Sequence, residues 1–120
     1  MSTRLLIVDD DVGLCRGLAD ILTDAGYCVE TANDGVAGLE MIEKDAFDVI
    51  LLDIKMPGMN GIELLRQLRG HPPKGRIFIV SGAPNAEELL SAGEVHDMTS
   101  GVIHKPFDVS SLERIIGGLT

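Results

Sequence analysis

No stretch of this chain is apolar for long enough to cross a bilayer, which takes about 20 consecutive residues. Positive charge is also scarce. Lys and Arg number 10 against 19 Asp and Glu, for a formal net charge of −9. A phosphate-binding face needs clustered basic residues, so direct contact with nucleic acid is not expected. The same deficit argues against a basic helix lying on a membrane surface. Only two cysteines occur, Cys15 and Cys28. Their spacing fits no metal motif, and they read as core or boundary thiols of a reducing compartment. The first apolar stretch is too short for a signal peptide and meets three Asp at once, so a cytoplasmic location is expected. Repeats, low-complexity tracts and linkers are missing. The 120 residues suit a single domain over 1–120 with a core of its own.

What is present is a repeated pattern. Leu5-Leu6-Ile7-Val8 runs into Asp9-Asp10-Asp11, Val49-Ile50-Leu51-Leu52 into Asp53, and Ile77-Phe78-Ile79-Val80 into Ser81. A weaker run, Val102-Ile103, reaches Lys105-Pro106 after His104. Short apolar runs rich in Val, Ile and Leu read as parallel strands buried on both faces. Ligands of open parallel sheets bind outside the carboxyl ends of the strands. The pattern therefore gathers carboxylates, a hydroxyl and an ammonium group at the edge where sites are built.

Helical periodicity follows each run. Cys15, Leu18, Leu22 and Ala25 share a face that stops at Gly26. Tyr27–Thr31 reads as a short strand and Asn33-Asp34-Gly35 as a turn and cap. Leu39, Ile42 and Ala46 form a second stripe, before a strand over Asp48–Leu52. Ile62, Leu65 and Leu68 form a third, after the loop Met56–Gly61. A strand over Arg76–Val80 comes next. Asn85–Ala92 is expected to hold a short helix, and Gly93–Gly101 to be irregular. Leu112, Ile115, Ile116 and Leu119 face a last helix capped by Asp108 or Ser110. Alternation of this kind gives (βα)5, a doubly wound five-stranded parallel sheet with helices on both faces.

The chemistry follows from residue types. A glycine-rich phosphate loop after the first strand is lacking, and Asp9-Asp10-Asp11 in its place repels phosphate, which argues against a flavin or dinucleotide there. Carboxylates at strand ends suit a hard cation such as Mg²⁺, held by one or two of them plus water and phosphate oxygens. Asp9 or Asp10, with Asp53, supplies the pair. Once neutralised, a carboxylate can attack a phosphoryl group. Lys105 offers a point charge to its oxygens and Ser81 a donor. Each residue alone also has a structural reading: Asp11 as a helix cap, Asp53 and Ser81 as turn residues. Their joint placement at matching strand ends favours the chemical one.

The segments Leu6–Asp11, Asp48–Gly61, Ile79–Ser81 and Lys105–Phe107 resemble the receiver domain of two-component response regulators, over essentially the whole chain. The resemblance implies a flavodoxin-like sheet of strand order 2-1-3-4-5. It implies that Asp53 accepts a phosphoryl group from a histidine kinase's phosphohistidine. Asp10, Asp53 and the backbone carbonyl of Lys55 would ligate Mg²⁺, with Asp9 acting through a water and Mn²⁺ as a substitute ion. Ser81 and Lys105 would contact the phosphoryl group, and the Lys105–Pro106 bond would be cis. Ser81, Gly82 and Val102 would form the switch region, with the loop after strand four following Ser81 inward. The implied partners are a sensor histidine kinase or phosphotransfer protein and a downstream effector domain or protein. A homodimer would use the face of helix four, strand five and helix five. The activity would be self-catalysed phosphoryl acceptance and autodephosphorylation, not turnover of an external substrate. Phosphatases of the haloacid-dehalogenase type need a second Asp two residues after the nucleophile, where this chain has Lys55.

Two departures bear on output. Many receivers carry Tyr or Phe three residues before the lysine, where this chain has Val102, which reads as a packing residue. The segment between Ser81 and Lys105 is longer than usual and lacks the common helix-four pattern, so a short or displaced helix four is expected. Lys55 and Ala83 flank the path of an attacking water in that family, and Gly82 opens the mouth of the pocket. Strand alternation turns His104 away from the site. His71 and His96 are expected in exposed loops.

Overall fold

The computed structural model describes residues 3–118. Three strands, β1 (Arg4–Val8), β3 (Val49–Leu52) and β4 (Arg76–Ser81), form the middle of one parallel sheet. Their apolar residues are consecutive because both faces are covered. β2 (Cys28–Ala32) and β5 (Gly101–His104) close the two edges, giving the order β2-β1-β3-β4-β5. All neighbouring pairs are parallel, with Val8 beside Leu52 and Leu52 beside Ile79.

Alternate residues of each strand enter different cores. Leu6, Val8, Ile50, Leu52, Ile77 and Ile79 pack with α2 (Gly35–Lys44), α3 (Gly61–Leu68) and α4 (Ala86–Ala92). Leu5, Ile7, Val49, Leu51, Phe78 and Val80 pack with α1 (Val12–Asp24) and α5 (Val109–Gly117). Chain direction across the sheet reverses at β1, so the first crossover goes to one side and the later ones to the other. A crevice opens at such a switch point, outside the carboxyl ends of β1 and β3.

Local chemistry fixes the helix starts. The Asp11 carboxylate accepts from the Leu14 N–H at 3.0 Å, and that of Asp34 from Ala37 at 2.7 Å. Asn60 and Glu63 form a reciprocal capping box on α3. Asp108 caps α5 through the Ser110 N–H.

Several expectations from periodicity need correction. Ala25 caps α1 and is exposed, because the chain turns away at Gly26, whose φ of 103° suits glycine. Ala46 lies beyond the end of α2 and is exposed; Phe47 fills the core there. Leu39 of that stripe is only half-buried, and Gly35 and Gly38 lie inside instead. Ile115 is 37% exposed, since Leu112 and Ile116 already occupy the stripe facing the sheet. Leu119 lies outside the described residues. The segment after α4 is more regular than expected, with a 3₁₀ turn over His96–Met98 and strand from Gly101. Cys15 is buried, whereas Cys28 is exposed at the start of edge strand β2.

Candidate functional site

The carboxyl ends of the three central strands bring Asp9, Asp53 and Ser81 to one place. Backbone pairing aligns them: the Asp9 N–H donates to the Ala32 carbonyl at 3.0 Å, and the Asp53 N–H to the Val8 carbonyl at 2.9 Å. The Lys105 N–H donates to the Ser81 carbonyl at 2.8 Å, which carries the lysine to the same edge. One carboxylate oxygen from each of Asp9, Asp10 and Asp53 falls in a group whose members lie within 4.8 Å of one another. Asp9 and Asp53 are buried and Asp10 is exposed.

Each acidic group is held differently. Asp9 Oδ1 accepts from the Asp11 N–H at 2.9 Å, and its Oδ2 accepts from Lys105 Nζ at 2.7 Å. Asp53 Oδ1 accepts from the Ile54 N–H at 2.9 Å, while its Oδ2 lies 3.7 Å from Lys105 Nζ. Burial pushes the Asp53 carboxyl above its ordinary pKa, the Asp9 charge pushes it further, and Lys105 pulls against both. Burial works against the Lys105 charge, but the hydrogen bond it donates to Asp9 and the Asp53 charge overcome it and raise the ammonium pKa. Buried acids with one shared cation are the arrangement that a divalent ion would relieve. Oxygen donors at this separation fit a hard cation.

The remaining expected residues surround this centre. The Ser81 hydroxyl is buried and accepts from the Ala83 N–H at 3.0 Å, which ties it to the loop after β4. Gly82 is exposed, and a Cβ there would meet Lys105 Cβ at 4.0 Å. Lys55 lies exposed in the loop after Asp53, and Ala83 is buried. Val102 is half-buried, packed on the core beside Ile79. The Lys105–Pro106 peptide bond is cis. His104 points away: its Nε2 lies 3.0 Å from Glu87 Oε2 of α4. His71 and His96 are exposed.

Two contributors have only structural readings in the sequence, Asn33 as a turn residue and Cys15 as a core or boundary residue. Asn33 Nδ2 donates to the Asp9 carbonyl at 3.1 Å, and Cys15 Sγ reaches the same oxygen at 3.4 Å. Burial first, and then the Asp9 charge, push the Cys15 thiol up to about 11, so it stays protonated at neutral pH. Farther away, Arg66 Nε donates to the Gly93 carbonyl at 3.4 Å. Arg69 binds the Glu94 carbonyl and both oxygens of Asp97, which pins the end of α4 to α3.

Comparison with known proteins agrees with this geometry. The family model described as the response regulator receiver domain matches residues 5–117. Response regulator MprA of Mycobacterium tuberculosis is 36% identical over 112 residues, covering 93% of this chain and 48% of MprA. The chain thus spans about half the length of that relative. Sporulation initiation phosphotransferase F of Bacillus subtilis is 30% identical over 116 residues, covering 97% of this chain and 92% of that protein. A CheY-like receiver domain protein of Methanospirillum hungatei is 34% identical with a TM-score of 0.85, covering 99% of this chain and 94% of that one. Response regulator TrrA of Thermotoga maritima, solved in complex with Mg²⁺-BeF, is 25% identical with a TM-score of 0.85, covering 98% of this chain and 99% of that one.

Proposed function

This chain belongs to the response regulator receiver domain family of two-component signalling, and we propose that it stores a phosphoryl group on Asp53 and reports it through Ser81. The observation that carries this reading is the buried Asp53 carboxylate, grouped with Asp9 and Asp10 and 3.7 Å from Lys105. An Asp53 oxygen attacks phosphorus of a phosphohistidine, the P–N bond breaks, and the imidazole leaves with its electron pair. Asp10, Asp53 and the Lys55 backbone carbonyl would hold Mg²⁺, or Mn²⁺ in its place, with Asp9 acting through a water. The ion, when bound, neutralises carboxylates and polarises phosphoryl oxygens. Its fit rests on the oxygen-only donor set, and the Mg²⁺-BeF complex of TrrA supports the same reading.

The other residues complete the step. Lys105 places its charge beside the incoming phosphoryl oxygens and offsets the charge that Asp53 gains. The Ser81 hydroxyl, now accepting from Ala83, donates its own proton to a phosphoryl oxygen and draws the loop of Gly82 and Ala83 with it. Val102 leaves that movement without a partner ring, so the signal leaves mainly through the loop and α4. The domain takes up and loses one phosphoryl group per event and turns over no external substrate. Its donor is a sensor histidine kinase or phosphotransfer protein, and its target an effector domain or protein, reached from 1–120 acting as one receiver unit. The face of α4, β5 and α5 is the surface for any homodimer.

Incubation with acetyl phosphate and Mg²⁺, followed by intact-mass measurement, tests the reading. One phosphoryl adduct is expected, lost in Asp53→Asn and on chelation of the metal. No adduct from any small donor or kinase would make the domain a binding module without phosphorylation.

A further inference from the structure

We infer that Asn33 is a positioning residue for the cation of the acidic pocket, acting through the peptide that joins Asp9 to Asp10; the inference rests on the metal reading of that pocket. The carbonyl oxygen of this peptide accepts from Asn33 Nδ2 at 3.1 Å and from Cys15 Sγ at 3.4 Å. A peptide unit is planar, so holding its oxygen fixes the direction in which the chain leaves toward Asp10. Asp9 is constrained at its other atoms as well. Its N–H is bonded to the Ala32 carbonyl, Oδ1 takes the Asp11 N–H, and Oδ2 takes Lys105. Rotation of the 9–10 peptide would swing the exposed Asp10 carboxylate relative to buried Asp53. Asn33 opposes that rotation.

The donor is itself well mounted. Asn33 directly follows β2, whose last residue, Ala32, is paired to Val8 and buried. Asp34 next to it caps α2, and Gly35 lies against the backbone of Met59 so closely that a Cβ would meet its carbonyl oxygen at 2.2 Å. The turn is thus anchored on both sides, and the amide is presented from it. Cys15 can supply only a weak donor to the same oxygen, so most of the restraint falls to Asn33. Asn33 is exposed, so shortening it leaves both cores intact.

The test is a calorimetric Mg²⁺ titration of the whole chain and of Asn33→Ala. Alongside it runs the Mg²⁺ dependence of phosphorylation by acetyl phosphate and a melting curve without the ion. Asn33→Ala is expected to bind Mg²⁺ about 10-fold more weakly, the low end for partners that orient metal ligands. The Mg²⁺ concentration for half-maximal phosphorylation should rise by the same factor. The rate at saturating Mg²⁺ and the ion-free melting temperature should stay near those of the wild type. Unchanged Mg²⁺ affinity overturns the inference. So does a loss of affinity that appears only with an equal loss of ion-free stability. A wild-type chain that binds Mg²⁺ more tightly than Asn33→Ala but never gains a phosphoryl group leaves the inference standing and removes the phosphoacceptor reading. A wild-type chain that binds no Mg²⁺ removes the inference outright.

Discussion

Lys105 Nζ lies 2.7 Å from Asp9 Oδ2 and 3.7 Å from Asp53 Oδ2. One ammonium group thus bridges two buried carboxylates and favours the acid that is not the proposed acceptor. Asp53 Oδ2 is the less tightly held of the two carboxylate oxygens that face Lys105. Lys105 is also the nearby charge that pulls the Asp53 carboxyl pKa down against burial and Asp9.

Lys105→Met should therefore slow phosphorylation by acetyl phosphate. A charge-assisted hydrogen bond contributes ~1.5–3 kcal/mol, so the loss should be roughly 10- to 100-fold in rate. Lys105→Arg should rescue only in part, because a planar guanidinium spreads the charge and directs its donors differently from a compact ammonium. Rates from mass spectra at fixed Mg²⁺ check both, and a near-wild-type rate in Lys105→Met would remove the lysine from the chemistry.

Asp53 has a raised carboxyl pKa in the folded chain, caused first by burial and then by Asp9. The folded state then holds the proton more tightly than the unfolded one. Stability is favoured at pH below the unfolded value and is lost as pH rises through the folded value. Ionising Asp53 without a divalent ion therefore costs the fold stability. Asp53→Asn should melt higher than wild type at pH 7, and the advantage should vanish on acidification. Each 1 kcal/mol relieved corresponds to roughly 4 °C in a domain of this size. Melting curves from pH 3 to 8 in chelator, on the order of the carboxylate range, decide the sign.

Ser81→Ala removes the acceptor of the buried Ala83 N–H. The orphaned donor should cost about 1–3 kcal/mol in urea unfolding. Phosphorylation of Asp53 should persist, since Ser81 is proposed to respond to the group rather than transfer it. What should disappear is the change in amide exchange over residues 82–85 that follows phosphorylation of the wild type. If that change survives, Ser81 does not drive the loop.

Two glycines should respond in opposite directions. A Cβ on Gly61 would lie 2.3 Å from the Asp53 carbonyl oxygen, whereas one on Gly17 would meet nothing within 4 Å. Gly61→Ala should destabilise by about 1–3 kcal/mol and disturb the loop that carries Asp53. Gly17→Ala, in the exposed interior of α1, should stabilise by about 0.5–1 kcal/mol. Urea midpoints of the two variants give the comparison.

The sheet and the residues at its carboxyl edge were legible because both depend on local signals. Four-residue apolar runs mark strands covered on both faces, and a polar residue ending each run marks the same edge every time. Helix faces were less so. Ala25, Ala46 and Ile115 fit a helical period, but the period does not say where a helix stops or how wide a face the sheet can cover. The irregular reading of Gly93–Gly101 missed a turn that is held from outside the segment, by Arg66 and Arg69 of the α3 region. Asn33 was legible as a turn residue only. Its amide meets a backbone oxygen 24 positions earlier, and no local pattern encodes a backbone target.

The Lys105–Asp9 contact spans 96 positions of a 120-residue chain. It joins the first strand to the segment after the last, so the pocket has no counterpart in any partly folded chain that lacks either end. Ion binding there is thereby coupled to the complete fold rather than to one loop. By mass action, an ion present at 100 times its dissociation constant would add about 2.7 kcal/mol to the unfolding free energy of the whole domain. The cellular level of that ion would then set how much of the chain escapes proteolysis, as well as how much can signal.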